Sequence, residues 1–307
     1  MTDLPRPLRQ QLQKRATTDA LRVVQQQQAR DGTIKTLFQL SSGNYIESVL
    51  IPDFDTSHTP ERLTVCVSSQ VGCAMGCRFC ATGLMGFKQN LTAGEIVYQV
   101  LHMNQIAQEK YGKRITNIVY MGMGEPLLNY DHVLKSINIL THRESIGISP
   151  RRITVSTVGL ARRIKQLADD RTRFKLAVSL HAPSDEKRSA IMPINRSRST
   201  DLKALREALT YYYQHLKRPV TYEYCLFEGV NDTEEDAHQL ARIARWIPSK
   251  VNLIMYNPVP GVPLKRISEE RLDRFIHHLV AHGVRVTVRR SRGDDIQAAC
   301  GQLAVLS

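Results

Sequence analysis

The chain has 307 residues, 42% of them hydrophobic, which is enough to bury a full-sized core and excludes a disordered chain. Its formal charge of +13, from 42 basic against 29 acidic residues, favours a polyanionic partner, while an aromatic content of 6% advertises no stacking platform for single strands. No run approaches the roughly 18 apolar residues that span a bilayer, the opening MTDLPRPLRQQLQKRATTD has no apolar signal region, and six cysteines do not make a secreted disulfide framework, so a cytoplasmic protein away from membranes is expected.

Residues 1–60 read as a small appendage. A helix is expected over 8–24, then a glutamine run at 25–28, then strands at 33–40 and 45–51 around Ser41-Ser42-Gly43-Asn44. The polar stretch 53–61 reads as a loop into a second unit, 61–307. From there short β-branched runs alternate with amphipathic stretches, the pattern of a parallel βα fold. Strands are expected at 63–69, 115–121, 152–157, 174–180, 220–226 and 251–255, with a further one near 284–289. Helices are expected at 93–111, 130–141, 160–168, 200–217, 233–246 and 268–282. Six βα units make an α/β fold, a partial parallel (β/α)6 barrel.

The run VGCAMGCRFC holds Cys73, Cys77 and Cys80 in a C-x3-C-x2-C spacing. Three thiolates can hold one iron–sulfur cluster and leave its fourth iron open to a substrate or cofactor. The competing zinc site needs four N or S ligands, commonly paired C-x2-C or histidine sets, and neither accompanies the triplet. Other departures from plain packing fall at the ends of expected strands: Met121-Gly122-Met123-Gly124-Glu125-Pro126, Ser156-Thr157, Ser179-Leu180-His181 and Asn257-Pro258. Active sites of parallel barrels lie at those C-terminal ends. The repetition points to one shared pocket, although any one serine or histidine there could be an ordinary cap. Basic clusters at Arg151-Arg152, Arg162-Arg163, Arg171-Arg173-Lys175, Arg196-Arg198 and Arg289-Arg290-Arg292 are candidate contacts to a polyanion.

The cysteine spacing with Phe79 before Cys80 resembles the signature of radical S-adenosylmethionine (SAM) enzymes. With VCVSSQVGC, MGMGEPLLN, SLHAPSDEKR, NLIMYNPVPG and RGDDIQAACGQL in order, the chain from Asp31 to Leu303 resembles the RlmN/Cfr family of radical SAM RNA adenine methyltransferases. The resemblance implies a radical SAM barrel with a [4Fe-4S] cluster on Cys73, Cys77 and Cys80, two SAM molecules per turnover, a low-potential electron donor, and ribosomal RNA as substrate, with tRNA in some members. The protein is expected to be a monomer. It further implies that Cys300 takes a methyl group from one SAM, that the 5′-deoxyadenosyl radical from a second abstracts hydrogen from that methyl, and that the resulting radical adds to an adenine ring carbon. Cys66 then attacks Cys300, forming a disulfide and releasing methylated RNA. By the same correspondence Gly124 and Glu125 hold the SAM amino group, Ser156, Ser179, Leu180, His181 and Asn257 complete the SAM site, and Glu47, in YIESVLIP, accepts the ring proton. Cys225 has no motif around it and reads as a buried small hydrophobe.

Relatives usually begin with a helical domain that helps hold RNA, and the opening MTDLPRPLRQQL resembles only its last helix. The segments MGMGEP and RGDDIQAACGQL are closer to the type that methylates adenine carbon 2 than to the carbon 8 type of Cfr, whereas FCATG is shared with the latter. Two readings from other classes stand beside this one: a radical SAM enzyme acting on a small molecule or peptide, which has no use for both Cys66 and Cys300, and a non-catalytic RNA-binding module with a structural metal.

Overall fold

The computed structural model describes residues 5–15 and 20–304. A helix α1 (Arg6–Arg15) is followed by three antiparallel strands, β1 (Arg22–Gln28), β2 (Ile34–Gln39) and β3 (Tyr45–Phe54), and then by β4 (Pro60–Cys66), antiparallel to β3. A short hairpin of β5 (Gln70–Gly72) and β6 (Phe87–Asn90) brackets the cysteine loop and the one-turn helix α2 (Ala81–Leu84). The βα alternation then runs α3 (Ala93–Tyr111), β7 (Asn117–Tyr120), α4 (Tyr130–Thr141), β8 (Ile153–Thr157), α5 (Ala161–Asp169), β9 (Lys175–Ser179), α6 (Asp185–Ile191), α7 (Leu202–Leu216), β10 (Val220–Leu226), α8 (Glu234–Ala244), β11 (Ser249–Met255), α9 (Glu269–Ala281) and β12 (Val286–Arg289). Strands β4, β7, β8, β9, β10, β11 and β12 are parallel neighbours in that order. This is the expected α/β partial parallel barrel, with β8 to β11 largely buried, as parallel sheets require, and β12 part-exposed at its edge.

Local chemistry starts and stops the helices. Thr92 and Glu95 form a reciprocal capping box at the start of α3, and Gly112 ends that helix with φ 64°. Thr233 and Asp236 do the same for α8.

Two expectations for the N-terminal region are corrected. The helix expected over 8–24 is α1 at Arg6–Arg15, residues 16–19 of that span lie outside the described residues, and Arg22–Gln28 is a strand. Glutamine favours helix weakly, and pairing with β2 overrides that preference on an exposed sheet edge. The loop expected over 53–61 is in part a hairpin: β3 extends to Phe54, β4 begins at Pro60, and only a tight turn lies between. Consequently β1, β2 and β3 extend the barrel sheet without a break, giving ten strands in one sheet.

Candidate active site

The cysteine loop between β5 and α2 puts Cys73, Cys77 and Cys80 on the wall of a cavity of about 160 Å³, together with Gly124 and Glu125 beyond β7, Ser156 on β8, Ser179 and His181 at the end of β9, and Cys300. The MGMGEP turn is pressed against the strand that precedes the cysteines. A Cβ on Gly122 would meet the Val67 carbonyl oxygen at 2.7 Å, and Gly124, at φ +100°, would put one 2.5 Å from the Gln70 Cβ, so both positions need glycine.

Burial dominates the electrostatics of this cavity. It pushes the Cys73 thiol up to about 12 and raises Cys77 and Cys80 as well, so the bare thiols are neutral near pH 7; a coordinating metal reverses this, because it deprotonates a thiol outright. Among the described residues no three His, Cys, Asp or Glu side chains converge on a point fit for one metal ion. Three cysteines spread around one cavity instead fit a multi-iron cluster, in which each iron takes its own thiolate. Burial also lifts the Glu125 carboxyl to about 7, against hydrogen bonds donated by the Val158 and Leu127 N–H groups at 2.8 and 3.0 Å. His181 is driven down to about 3 by burial and then by Arg188, hence neutral; its Nδ1 accepts from the Cys225 N–H at 3.0 Å and its ring meets Phe79 edge-on at 4.9 Å.

A second cavity, of about 400 Å³, lies against the first. Cys66, at the end of β4, and Cys300 both line it, with Arg62, Arg289, Arg290, Arg292 and a single carboxylate, Asp53. Cys66 is buried and its thiol is pushed up to about 12 by burial; no disulfide joins it to Cys300, and both are free. Cys300 and Arg289 line both cavities. Cys300 is held there from three sides: the Ala81 N–H donates to the Gly301 carbonyl at 2.8 Å, the Asn257 carboxamide donates to the Cys300 carbonyl at 3.3 Å, and the β1–β2 turn grips the same loop through Gly293 N–H to Asp31 at 3.0 Å and Arg30 N–H to Asp295 at 3.1 Å.

The chain has counterparts among known proteins. The Radical SAM superfamily model matches residues 67–241. A probable dual-specificity RNA methyltransferase RlmN of Salinibacter ruber is 62% identical over 304 residues, 99% of this chain and 82% of that protein, and one of Thermotoga neapolitana is 45% identical over 305 residues, 99% of this chain and 85% of that protein. The chain belongs to the RlmN family. The solved structure of a radical SAM methyltransferase from Sphaerobacter thermophilus agrees, with TM-score 0.92 and 48% identity over 98% of this chain and 86% of that one. A [4Fe-4S] cluster and SAM are the cofactors that radical SAM membership implies.

Against this RlmN-family framework, the structure sorts the residues singled out from the sequence. The three cluster cysteines, Gly124, Glu125, Ser156, Ser179, His181 and Cys300 share the first cavity. Leu180 is fully buried off that wall, its backbone N–H bonded to the Glu223 carbonyl. Asn257 lines the second cavity. Glu47 lines neither; on β3 it is two residues from Val49, the register partner of Cys66, and it forms a 3.0 Å ion pair with Lys35 in a nearly solvent-free place. Burial raises the Glu47 carboxyl, with Lys35 opposing. Cys225 is buried as expected and is also part of the first cavity's wall.

Two inward-facing charges escaped the sequence reading. Glu223 sits inside the apolar run of β10, lines the first cavity, and takes a hydrogen bond from Asn252 at 2.9 Å. Its other oxygen faces Arg289 at 3.8 Å, too long for a hydrogen bond. A lone glutamate in VTYEYCL was the available signal. Arg289 stood in what read as an outward basic cluster; it lies instead between Cys300, whose sulfur is the largest influence raising its guanidinium, and Glu223.

No helix among the described residues is long and apolar enough to cross a membrane.

Proposed function

We propose that this chain methylates an adenine ring carbon of RNA, carbon 2, in ribosomal RNA or tRNA, through S-methylcysteine at Cys300 and a covalent RNA adduct resolved by Cys66. The observation that carries this reading is that Cys300 lines both cavities, one shared with the cluster cysteines and the other with Cys66. The names of the RlmN relatives support an RNA substrate.

Cys73, Cys77 and Cys80 would hold the cluster, and Glu125, Gly124, Ser156, Ser179 and His181 would hold SAM. When bound, these groups supply a 5′-deoxyadenosyl radical. Cys300 carries the methyl carbon on its sulfur and presents it to an adenine admitted through the arginine-lined cavity. An amidine carbon is electrophilic, as is the SAM methyl group, so radical addition from Cys300 avoids a polarity conflict that direct displacement would meet. Glu47, with its raised carboxyl, takes the ring proton once the Cys300 loop gives it access, and the unpaired electron left on the ring returns to the one-electron carrier that supplied the reaction. The Cys66 sulfur then attacks the Cys300 sulfur; the S–S bond forms, the bond from Cys300 sulfur to the new carbon breaks, and that carbon gains a proton to become the methyl group. Residues 1–60 serve as a short accessory unit, and a low-potential donor supplies electrons to a monomer in the cytoplasm.

Mass spectrometry of nucleosides from ribosomal and transfer RNA of cells lacking their own enzyme, with and without this gene, tests the proposal. A gain of 2-methyladenosine supports it and names the RNA. A gain of 8-methyladenosine moves the chain to the other branch, and no gain of either overturns the RNA reading.

A further inference from the structure

Arg188, on α6, is the largest fully buried side chain in the protein, and the described residues give it no ion-pair partner. Its guanidinium donates instead to neutral acceptors: the carbonyls of Leu180 at 3.2 Å, Thr200 at 3.1 Å, Ser179 at 3.4 Å and Val158, and the Asn195 carboxamide. Asp185 is joined to it through Asn195, whose Nδ2 reaches the Asp185 carboxylate at 3.0 Å. A buried charge is retained when something compensates it, and carbonyl dipoles compensate it in part. Val158 and Ser179, whose carbonyls Arg188 grips, line the cavity of the three cluster cysteines, and the helix bearing Arg188 is pinned to the cysteine loop by the Arg78 N–H bonded to the Ile191 carbonyl at 2.9 Å.

We infer that Arg188 is a positioning residue for the redox chemistry: a fixed positive charge behind the cluster cavity that favours the more negative, reduced form of the bound cluster and so raises its reduction potential. The Cys77 sulfur is the first anionic influence on its guanidinium, after the burial that lowers it to about 10. His181, close enough to feel Arg188, is held neutral and adds no second positive charge there. Cluster potentials respond to nearby charge and to hydrogen bonding, and this charge cannot be screened by salt or water because it is fully buried.

The inference rests on the cluster being held by Cys73, Cys77 and Cys80, which iron and sulfide analysis of the parent protein checks separately. The experiment is a potentiometric titration followed by electron paramagnetic resonance, in which each cluster takes one electron from dithionite, itself oxidised to sulfite. In Arg188→Gln, with parental iron content and circular dichroism, the ratio of reduced to oxidised cluster at a fixed ambient potential should fall at least tenfold, about 59 mV for one electron. Arg188→Lys, which keeps the charge and loses the planar fork, should stay within threefold of the parent. Asp185→Asn, which removes the remote opposing charge and keeps an acceptor, should move the ratio the other way, at least twofold upward. If Arg188→Gln does not fold, Asp185→Asn decides alone. An unchanged ratio in folded, iron-loaded Arg188→Gln, or in Asp185→Asn where that variant must decide, overturns the inference.

Discussion

The two cavities are separated by little more than Cys300 and Arg289, yet they are opposite in character. The first is lined by strand ends and mostly apolar side chains, and burial drives its thiols and Glu125 toward their neutral forms. The second is lined by four arginines against one carboxylate and opens to a large volume. An apolar cavity with neutralised acids suits a cofactor whose binding supplies the charge; a cationic one suits a substrate that brings its own. One loop carries the thiol that both need.

The comparison can be broken most sharply at Cys300. Cys300→Ala is expected to abolish methylation while leaving iron and SAM binding in place, measured by nucleoside mass spectrometry and iron content; retained turnover would mean that the two cavities are not coupled through this thiol. Cys66→Ala removes only the second cavity's thiol and is expected to trap protein on RNA toward one adduct per chain, visible as a shifted band on a denaturing gel, whereas clean release of methylated RNA would remove Cys66 from the resolving role.

A smaller effect is expected at Glu125. Its pKa is raised from 4.5 to about 7 by burial, so the folded state binds the extra proton and this carboxyl's contribution to stability falls as pH rises from about 4.5 through about 7. A cationic SAM amino group reverses the preference. Affinity for SAM should therefore rise about tenfold between pH 6 and 8, following the ionised fraction of a group titrating near 7, and Glu125→Gln should flatten that profile, bind SAM about tenfold more weakly at pH 8, and keep its iron. A pH slope that survives in the variant would assign it to another group.

The smallest effect sharpens the cationic side. Arg290 lines the second cavity and is exposed, whereas Arg151 and Arg152 stand at the start of β8, the end of the strand away from the site, as Arg171 and Arg173 do for β9. Arg290→Ala should lower the salt slope of RNA binding by about 1 and weaken binding a few-fold, with Arg151→Ala leaving the slope unchanged. Equal effects would show that charge acts from both ends of the barrel.

The sequence was informative wherever a pattern was local. The parallel strands announced themselves as β-branched runs, and the site residues of the first cavity as glycines, cysteines and hydroxyls at strand ends. What escaped it depended on pairing across distance. The strand Arg22–Gln28 is polar and all exposed, and only its partner β2 makes it a strand. Arg289 and its neighbour Arg290 are both arginines in the same run, but Arg289 ends β12 half-buried against Glu223 and Arg290, just past the strand, is exposed, a difference that a count of charges cannot show. Asn257 joins the SAM site through the family resemblance, but the bond of its side chain to the carbonyl of Cys300, a loop residue 43 positions away, had no local signal.

The grip of Arg30 and Asp31 on the loop of Asp295 and Gly293 has a consequence for how the protein is made. These contacts join residues 265 and 262 positions apart, and contacts of such long range form late because the intervening chain must be ordered first. During synthesis the β1–β2 turn emerges well before the loop bearing Cys300 and must wait for it, since the contacts span 265 and 262 positions. Barrel and cluster loop can be assembled before that loop arrives, so the step that closes the fold is also the step that brings Cys300 to the wall of both cavities.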